Sequence, residues 1–268
     1  MSWHETWMIV SDLDGTLLDH DSYSWQPAAE EIARLASHGI PLVLASSKTL
    51  AEMRGLAAEM DLHDPLIAEN GAVLAWPDGR DYREEMTSLT REAIVACAHQ
   101  LRVDRGYRFE GFADWSAEQV AADCGLDVAT AALAHRRRAT EPIVWHDTDA
   151  AFEAFLAALG DEDIRAVRGG RYIHLMGNVD KADGMRQVAG VIGHQRGCHM
   201  KIVALGDSPN DAGMLSAADV AVRIRSAKSA KMEIRATSLI EPDQAGPAGW
   251  AEAIRQWWTA QEQPTSSI

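Results

Sequence analysis

The sequence predicts an α/β protein in which a Rossmann-like parallel sheet with covering helices is interrupted by an inserted α+β segment. Short apolar runs alternate with helical patterns over the first 71 residues, and an amphipathic, arginine-rich stretch follows at 86–178. The alternation resumes after residue 179. Because strand–helix–strand alternation is typical of parallel sheets, we predict one domain from 1–85 and 179–268 and a second, inserted domain at 86–178.

The first part of the predicted sheet has three strands, at 7–10, 41–45 and 66–68. Each is a short apolar run bounded by polar or turn residues, which is typical of buried strands. A helix is predicted at 27–38 with Gly39 as its C-terminal stop. The other elements predicted here are a second helix with apolar residues from Met53 to Met60 and a turn at 76–79.

The inserted segment combines helices and short strands. A helix is predicted at 88–101, and Ser116 with Gln119 three positions later resembles a capping box that opens another. The remaining predicted elements are a helix at 150–159, strands at 164–167 and 172–175, and a hairpin turn at Gly169 and Gly170.

The second part of the predicted sheet begins with a helix at 180–192. Strands are predicted at 201–205 and 219–222, and a closing helix at 249–258. Residues 261–268 are predicted to be a frayed tail.

Composition restricts the class of protein. The net charge of −15 over 268 residues argues against a nucleic-acid or anionic-membrane binder, which needs clustered basic residues. No apolar run approaches the ~20 residues of a membrane helix, and the N-terminus has no export signal. The three cysteines are too few for a disulfide framework, and the histidines lack zinc-site spacing. We predict a cytoplasmic protein, monomeric or homodimeric.

Polar residues follow three of the predicted strands, in the stretches VSDLDGT, LASSK and ALGDSPND. Ligands of open parallel sheets lie outside the carboxyl ends of the strands. We therefore expect one pocket, and a Mg²⁺ ion there would offset the repulsion between its carboxylates. Lys181 supplies the one nearby cation of the protein itself. The residues gathered in the pocket are Asp12, Asp14, Ser46, Asp207 and Asp211.

This set of residues suits the hydrolysis of a phosphate monoester. Asp12 can attack phosphorus and form an aspartyl-phosphate, and Asp14 can exchange a proton with the leaving oxygen and the hydrolytic water. Ser46 can donate a hydrogen bond to a phosphoryl oxygen, and Gly15 permits close approach of the backbone. Lys181 and Mg²⁺ can balance the charge of the phosphate.

The chain resembles the haloacid dehalogenase (HAD) superfamily of phosphohydrolases in DLDGT (12–16), Ser46, Lys181 and GDSPND (206–211). The resemblance implies a HAD core with an α+β cap that determines substrate specificity, as in the sugar-phosphatase branch. It implies that Mg²⁺ is held by the Asp12 side chain, the Asp14 backbone carbonyl and Asp207, with Asp211 supporting. It also implies that Asn70, within AENGA (68–72), faces the substrate.

One branch, mannosyl-3-phosphoglycerate phosphatase, is similar in both core and cap. The similarity lies in SSKT (46–49), FEGFADWS (109–116), RRRATEPIVW (136–145) and GGRYIHLMGNVDKADG (169–184). It implies hydrolysis of mannosyl-3-phosphoglycerate, a step of mannosylglycerate biosynthesis. Arg138 departs from the pattern, because an acid is more usual beside the residue that matches Arg137. The substrate-binding residues implied by these motifs are Ser47, Lys48, Asn70, Arg137, Ser208 and Asn210.

Other interpretations stay open at this stage. The substrate could be another sugar phosphate, such as glucosyl-3-phosphoglycerate, or the protein could be a phosphomutase. A binding protein with an inactive phosphatase pocket and a DxD glycosyltransferase are further alternatives, but the latter leaves GDSPND unexplained. Trp115 and Trp145 are more often packing residues than sugar platforms, and the basic run at 136–138 could be a solvated helix end.

Overall fold

The computed structural model describes residues 3–168, 171–227, 229 and 232–262. The chain divides into two compact units. The core unit comprises Met1–Ser46, Leu62–Pro65 and Lys181–Ile268, and the second unit comprises Ser47–Asp61 and Leu66–Asp180. The domain boundaries read from the sequence, at 85/86 and 178/179, stay a prediction.

The elements within the described residues are numbered in chain order. The strands are β1 (Trp7–Ser11), β2 (Leu42–Ala45), β3 (Leu66–Ala68), β4 (Val73–Asp78), β5 (Asp81–Met86), β6 (Phe109–Gly111), β7 (Thr140–Trp145), β8 (Ile164–Arg168), β9 (Ile173–Gly177), β10 (Lys201–Gly206), β11 (Val220–Arg223) and β12 (Leu239–Ile240). The helices are α1 (Ala29–Ser37), α2 (Leu50–Glu59), α3 (Arg91–Arg105), α4 (Ala117–Cys124), α5 (Val128–Ala134), α6 (Asp149–Gly160), α7 (Lys181–Arg196), α8 (Ala212–Ser216) and α9 (Gly246–Glu262).

The core unit contains a parallel sheet with strand order β12-β11-β10-β1-β2. Strands β1 and β2 are buried along their whole length, as expected where helices cover a parallel sheet. Ser11 lies opposite Leu205 of β10 and Leu44 of β2. The three strands therefore end at the same edge, and the polar residues that follow them emerge together. The predicted α/β fold class is confirmed.

The second unit contains antiparallel strands. Strands β3, β4 and β5 pair in sequence, and β6, β7, β9 and β8 form a four-stranded antiparallel sheet. Helices α3 and α6 pack on this second sheet around a core that includes Phe109, Phe155 and Leu159. The predicted α+β character of the insertion is thus observed in this sheet and its helices.

The predicted turn at 76–79 is wrong in part. Trp76 and Pro77 belong to β4, and the chain reverses at Gly79 and Arg80, where Gly79 has a φ of +63°. Pro77 is tolerated because β4 pairs with β3 only through Ala75, so no partner there requires a proline N–H. The elements that were not predicted are strands β4 to β7 and β12 and helices α5 and α8.

The two tryptophans that were considered as sugar platforms, Trp115 and Trp145, contact other aromatic rings of the second unit. Trp145 lies against Phe109 and Phe155, with ring centroids 6.1 and 5.1 Å away. Trp115 lies 6.0 Å from Phe112. The packing interpretation of both tryptophans accounts for these contacts.

Two predictions fall wholly or partly outside the described residues. The hairpin turn at Gly169 and Gly170 lies outside them. The predicted tail overlaps α9, which continues to Glu262, and residues 263–268 lie outside the described part. No described helix has the length and apolar character needed to cross a bilayer.

Candidate active site

The loop after β1 is held by its own backbone hydrogen bonds. The amide of Asp12 donates to the carbonyl of Leu205 (2.9 Å), and the amide of Gly15 donates to the carbonyl of Leu18 (2.9 Å). Gly15 has a φ of +82°, and a Cβ built on it would lie 2.8 Å from Asp207 Oδ2. Only glycine therefore allows both this turn and the close approach of the Asp207 carboxylate.

The loop after β10 brings a second pair of acids to the same edge. Asp211 is fully buried, and its Oδ2 accepts hydrogen bonds from the amides of Asp207 (3.3 Å) and Ser208 (3.1 Å). A Cβ on Gly206 would lie 2.5 Å from the Cβ of Asp211. The absence of a side chain at Gly206, the last residue of β10, thus lets Asp211 pack against the end of the strand.

Lys181, the first residue of α7, joins the two loops. Its side chain is 2% exposed, and Nζ donates to Asp12 Oδ1 (2.6 Å) and Asp211 Oδ1 (2.7 Å). Burial lowers the pKa of Lys181, but the charges of Asp12 and Asp211 raise it more, so it lies above its ordinary value. Because a buried ammonium is tolerated only with close partners, this lysine fixes both carboxylates.

The carboxylates form a group that suits a hard divalent cation. Oxygens of Asp12, Asp207 and Asp211 lie within 4.8 Å of one another. Burial and the charge of Asp211 raise the pKa of Asp12 to about 8, against the opposing effect of Lys181. An added cation would favour the ionised form. The donor set, all oxygen and more acidic than one lysine can balance, fits Mg²⁺.

Within this group, both carboxylate oxygens of Asp211 already accept hydrogen bonds from the protein. One of its oxygens accepts from Lys181 and the other from backbone amides. Asp12 and Asp207 are therefore better placed to hold a metal. The supporting role of Asp211 stays a prediction.

The other core-unit residues expected in the site lie in the same loops. Ser46 is buried directly after β2, and Asp14 is half-buried two residues after Asp12. Ser208 is half-buried and Asn210 is exposed, and the Ser208 hydroxyl bonds to the Asn210 side chain. The core unit thus brings Asp12, Asp207, Asp211 and Lys181 into close contact. It carries Asp14, Ser46, Ser208 and Asn210 on the adjoining loops.

The second unit brings together Ser47 and Arg137. The Nη1 of Arg137 donates to the carbonyl of Ser47 (3.1 Å) and to Thr140 Oγ1 (2.9 Å). Its Nε is buried and has no hydrogen-bond partner among the described residues. Arg138 is exposed and its side chain lies 3.7 Å from Glu84. Arg138, the residue that departs from the family pattern, therefore has a solvated side chain.

Asn70 and Lys48 occupy neighbouring positions in the same unit. Asn70 is buried with a left-handed φ of +58°, and its Oδ1 has no hydrogen-bond partner within the described part of the chain. Asparagine tolerates this conformation better than most residues. The carbonyl of Lys48 accepts from the amide of Glu69 (2.9 Å).

Two groups of residues were missed by sequence reasoning. Glu69 is fully buried and accepts from the amides of Arg138 and Ala139 at 2.7 and 3.0 Å. Trp250 donates a hydrogen bond to Ser11, the residue before Asp12. Their partners are distant in sequence, so spacing gave no signal for either group.

Comparison with known proteins agrees with this geometry. Residues 9–119 and 146–241 match the family described as haloacid dehalogenase-like hydrolase. A HAD-superfamily phosphatase from Bacteroides thetaiotaomicron, BT1666, is 19% identical, with a TM-score of 0.69 over 96% of this chain and 97% of its own.

Two further solved structures share the fold. The HAD subclass IIB sugar phosphatase BT4131 is 15% identical, with a TM-score of 0.69 over 94% of this chain and 99% of its own. Protein 0175 of Thermoplasma acidophilum is 16% identical, with a TM-score of 0.66 over 96% of this chain and 98% of its own.

Proposed function

Because the chain belongs to the haloacid dehalogenase-like hydrolases, we propose that it is a Mg²⁺-dependent phosphatase that hydrolyses mannosyl-3-phosphoglycerate. The observation that carries the phosphatase proposal is the buried Lys181 ammonium between Asp12 and Asp211, beside Asp207. A lysine so placed holds a carboxylate nucleophile in position and reduces the negative charge around an incoming phosphate.

The proposed reaction has two steps. A carboxylate oxygen of Asp12 attacks phosphorus, and the glycerate oxygen leaves with a proton from Asp14. Asp14 then takes a proton from water, which attacks the aspartyl-phosphate and releases inorganic phosphate. Ser46 and Lys181 hold the phosphoryl oxygens. Mg²⁺, held by Asp12, the Asp14 backbone carbonyl and Asp207, would offset the charge of the phosphoryl group.

The substrate proposal rests on the resemblance of the motifs and on Arg137. A glycerate leaving group carries a carboxylate, which a guanidinium binds better than a solvated lysine does. Arg137 uses one nitrogen for Ser47 and Thr140 and keeps a buried Nε that bonds to no described residue. The remaining substrate contacts are assigned to Ser47, Lys48, Asn70, Ser208 and Asn210.

A phosphate-release screen tests the proposal. The substrates are mannosyl-3-phosphoglycerate, glucosyl-3-phosphoglycerate, mannose 6-phosphate and nitrophenyl phosphate, each with Mg²⁺ and with EDTA. We expect the highest kcat/KM for mannosyl-3-phosphoglycerate. A higher value for the glucosyl compound or a simple sugar phosphate would assign the enzyme to that substrate instead.

Transfer of phosphate to a second sugar hydroxyl, without release into water, would indicate a phosphomutase. Under the proposal the enzyme acts in the cytoplasm on a small phosphorylated glycoside, as the last step of mannosylglycerate biosynthesis. Its functional form would be a monomer or homodimer.

A further inference from the structure

A chain of two hydrogen bonds connects helix α9 to the backbone of Asp12. The indole Nε1 of Trp250 donates to Ser11 Oγ at 3.0 Å. Ser11 Oγ in turn donates to the backbone carbonyl of Asp12 at 2.7 Å. Trp250 and Ser11 are fully buried and Asp12 is 6% exposed, so both bonds are shielded from water.

The direction of the two bonds follows from their chemistry. An indole N–H can only donate, and a serine hydroxyl has a single proton. Once Ser11 accepts from Trp250, its proton remains for the Asp12 carbonyl. Without the indole, the hydroxyl would be free to rotate away from that carbonyl.

Both backbone groups of Asp12 are consequently hydrogen-bonded. Its amide donates to the carbonyl of Leu205 (2.9 Å), and its carbonyl accepts from Ser11. The side chain receives the Lys181 ammonium at 2.6 Å. With these restraints, little freedom is left in the position of the Asp12 carboxylate.

The start of α9 packs closely on the loop that precedes it. A Cβ built on Gly249, the residue before Trp250, would lie 2.1 Å from the carbonyl oxygen of Gln244. This close approach leaves the first turn of the helix no room to shift towards the preceding loop. The backbone beside Trp250 therefore packs directly on the loop that precedes α9.

We propose that Trp250, acting through Ser11, is a positioning residue that aligns Asp12 for attack on phosphorus. The proposal rests on the proposed role of Asp12 as nucleophile. In-line attack depends on placement within a fraction of an ångström, so a loosened carbonyl lowers the rate of chemistry more than the affinity for substrate. Loss of one buried hydrogen bond is worth about threefold to tenfold in rate.

Trp257 gives a matched control on the same helix. It is 1% exposed, and its Nε1 has no hydrogen-bond partner among the described residues. Trp257→Phe thus removes a similar volume from the core without removing a bond. Trp250→Phe and Ser11→Ala each remove one bond of the chain described above.

The kinetic experiment measures kcat and KM for nitrophenyl phosphate in these variants and in the Ser11→Ala/Trp250→Phe double variant. We expect kcat to fall about threefold to tenfold in each single variant, with KM within twofold of wild type. The double variant should lose no more than the worse single variant, because both changes break one chain. Trp257→Phe should keep its kcat.

Three results would overturn the proposal: an equal loss of kcat in Trp250→Phe and Trp257→Phe, losses that multiply in the double variant, or a wild-type kcat in Ser11→Ala. If Trp250→Phe does not fold, the kcat of Ser11→Ala tests the proposal by itself. Asp12→Asn is assayed alongside. If it keeps activity, the proposed nucleophile is wrong, whereas failure of the positioning proposal leaves Asp12→Asn inactive.

A second readout does not depend on activity. In ¹⁵N-tryptophan-labelled protein, the indole N–H of Trp250 is assigned by its absence in Trp250→Phe. Ser11→Ala should shift this resonance and speed its exchange with deuterium, while that of Trp257 stays in place. An unmoved Trp250 resonance would show that the bond to Ser11 is absent in solution.

Discussion

The carboxylate of Glu69 accepts a 2.6 Å hydrogen bond from the hydroxyl of Thr140, 71 positions further along the chain. The same carboxylate accepts from the amides of Arg138 and Ala139. Glu69 itself has a φ of +50°, a strained conformation for this residue type. Three donors around one buried carboxylate offset that strain and tie the residue before Asn70 to the start of β7.

Glu69→Gln should destabilise the protein by roughly 2–4 kcal/mol, because a glutamine NH₂ would face groups that also donate. Thermal or urea unfolding measures the loss. Glu84→Gln, at a more exposed acid of the same unit, serves as the control and should change stability by less than about 0.5 kcal/mol. Equal stability of the two variants would contradict the role assigned to Glu69.

Asp12→Asn should abolish phosphate release without loss of structure, since an amide cannot attack phosphorus. Steady-state assays and circular dichroism check the two parts. Asp21→Asn, at an exposed acid, should behave as wild type. Residual activity within tenfold of wild type would remove Asp12 from its proposed role.

Removal of divalent metal with EDTA should stop the reaction, and Mg²⁺ should restore it. Ca²⁺ should inhibit, because it takes more ligands at longer distance and can bind both oxygens of one carboxylate. An Asp12 held in that way cannot attack. The measurement is phosphate release after dialysis against each metal, and full activity in metal-free buffer would contradict the metal site.

Arg137→Ala should lower kcat/KM for mannosyl-3-phosphoglycerate, by an amount that corresponds to roughly 2–4 kcal/mol of lost transition-state stabilisation. The kcat/KM for nitrophenyl phosphate, which lacks a carboxylate, should fall far less. Arg137 also bonds to Ser47 and Thr140, so some loss of stability is expected as well. The exposed neighbour Arg138 provides the control, Arg138→Ala. Equal losses on both substrates would make Arg137 structural.

His174 should make the folded protein sensitive to acid. Its Nδ1 is buried with no hydrogen-bond partner among the described residues, although the residue as a whole is half-buried. Burial, and secondarily the charge of Arg137, lower the pKa of His174 to about 3. The unfolded chain therefore takes up this proton near pH 6.5 and the folded protein does not.

The stabilisation from neutral His174 is present above about pH 6.5 and is lost as the pH falls towards 3. Between pH 7 and 5 the free energy of unfolding should drop by roughly 2 kcal/mol on this account. His174→Gln should remove that part of the pH dependence in urea titrations, and His146→Gln, at an exposed residue, should keep it. Identical slopes for wild type and His174→Gln would contradict the assignment.

The parallel strands were predictable because burial on both faces makes them continuous apolar runs. The β4–β5 hairpin was not, since Pro77 and the Asp78–Gly79 pair look like a turn when read locally. Strand β4 can include Pro77 only because β3 is too short to pair with it. That fact belongs to the partner strand and is invisible in the residues themselves.

The core-unit site was predictable for a similar reason. Its residues follow strand ends, and the register of β1 with β10 and β2 brings those ends together. The bond from Trp250 to Ser11 spans 239 positions and leaves no periodicity in the sequence. Long-range single contacts of this kind depend on how helices pack on the sheet, which no local pattern records.

The pairing of Trp7 with Lys201 has a consequence for synthesis of the chain. Strand β1 leaves the ribosome long before its neighbour β10, by roughly 10–40 s at about 5–20 residues per second. During that interval one edge of an apolar strand lacks its final partner and is a target for chaperones or for self-association. The order of translation, rather than the chemistry of the pocket, therefore sets when Asp12 can first contact Lys181.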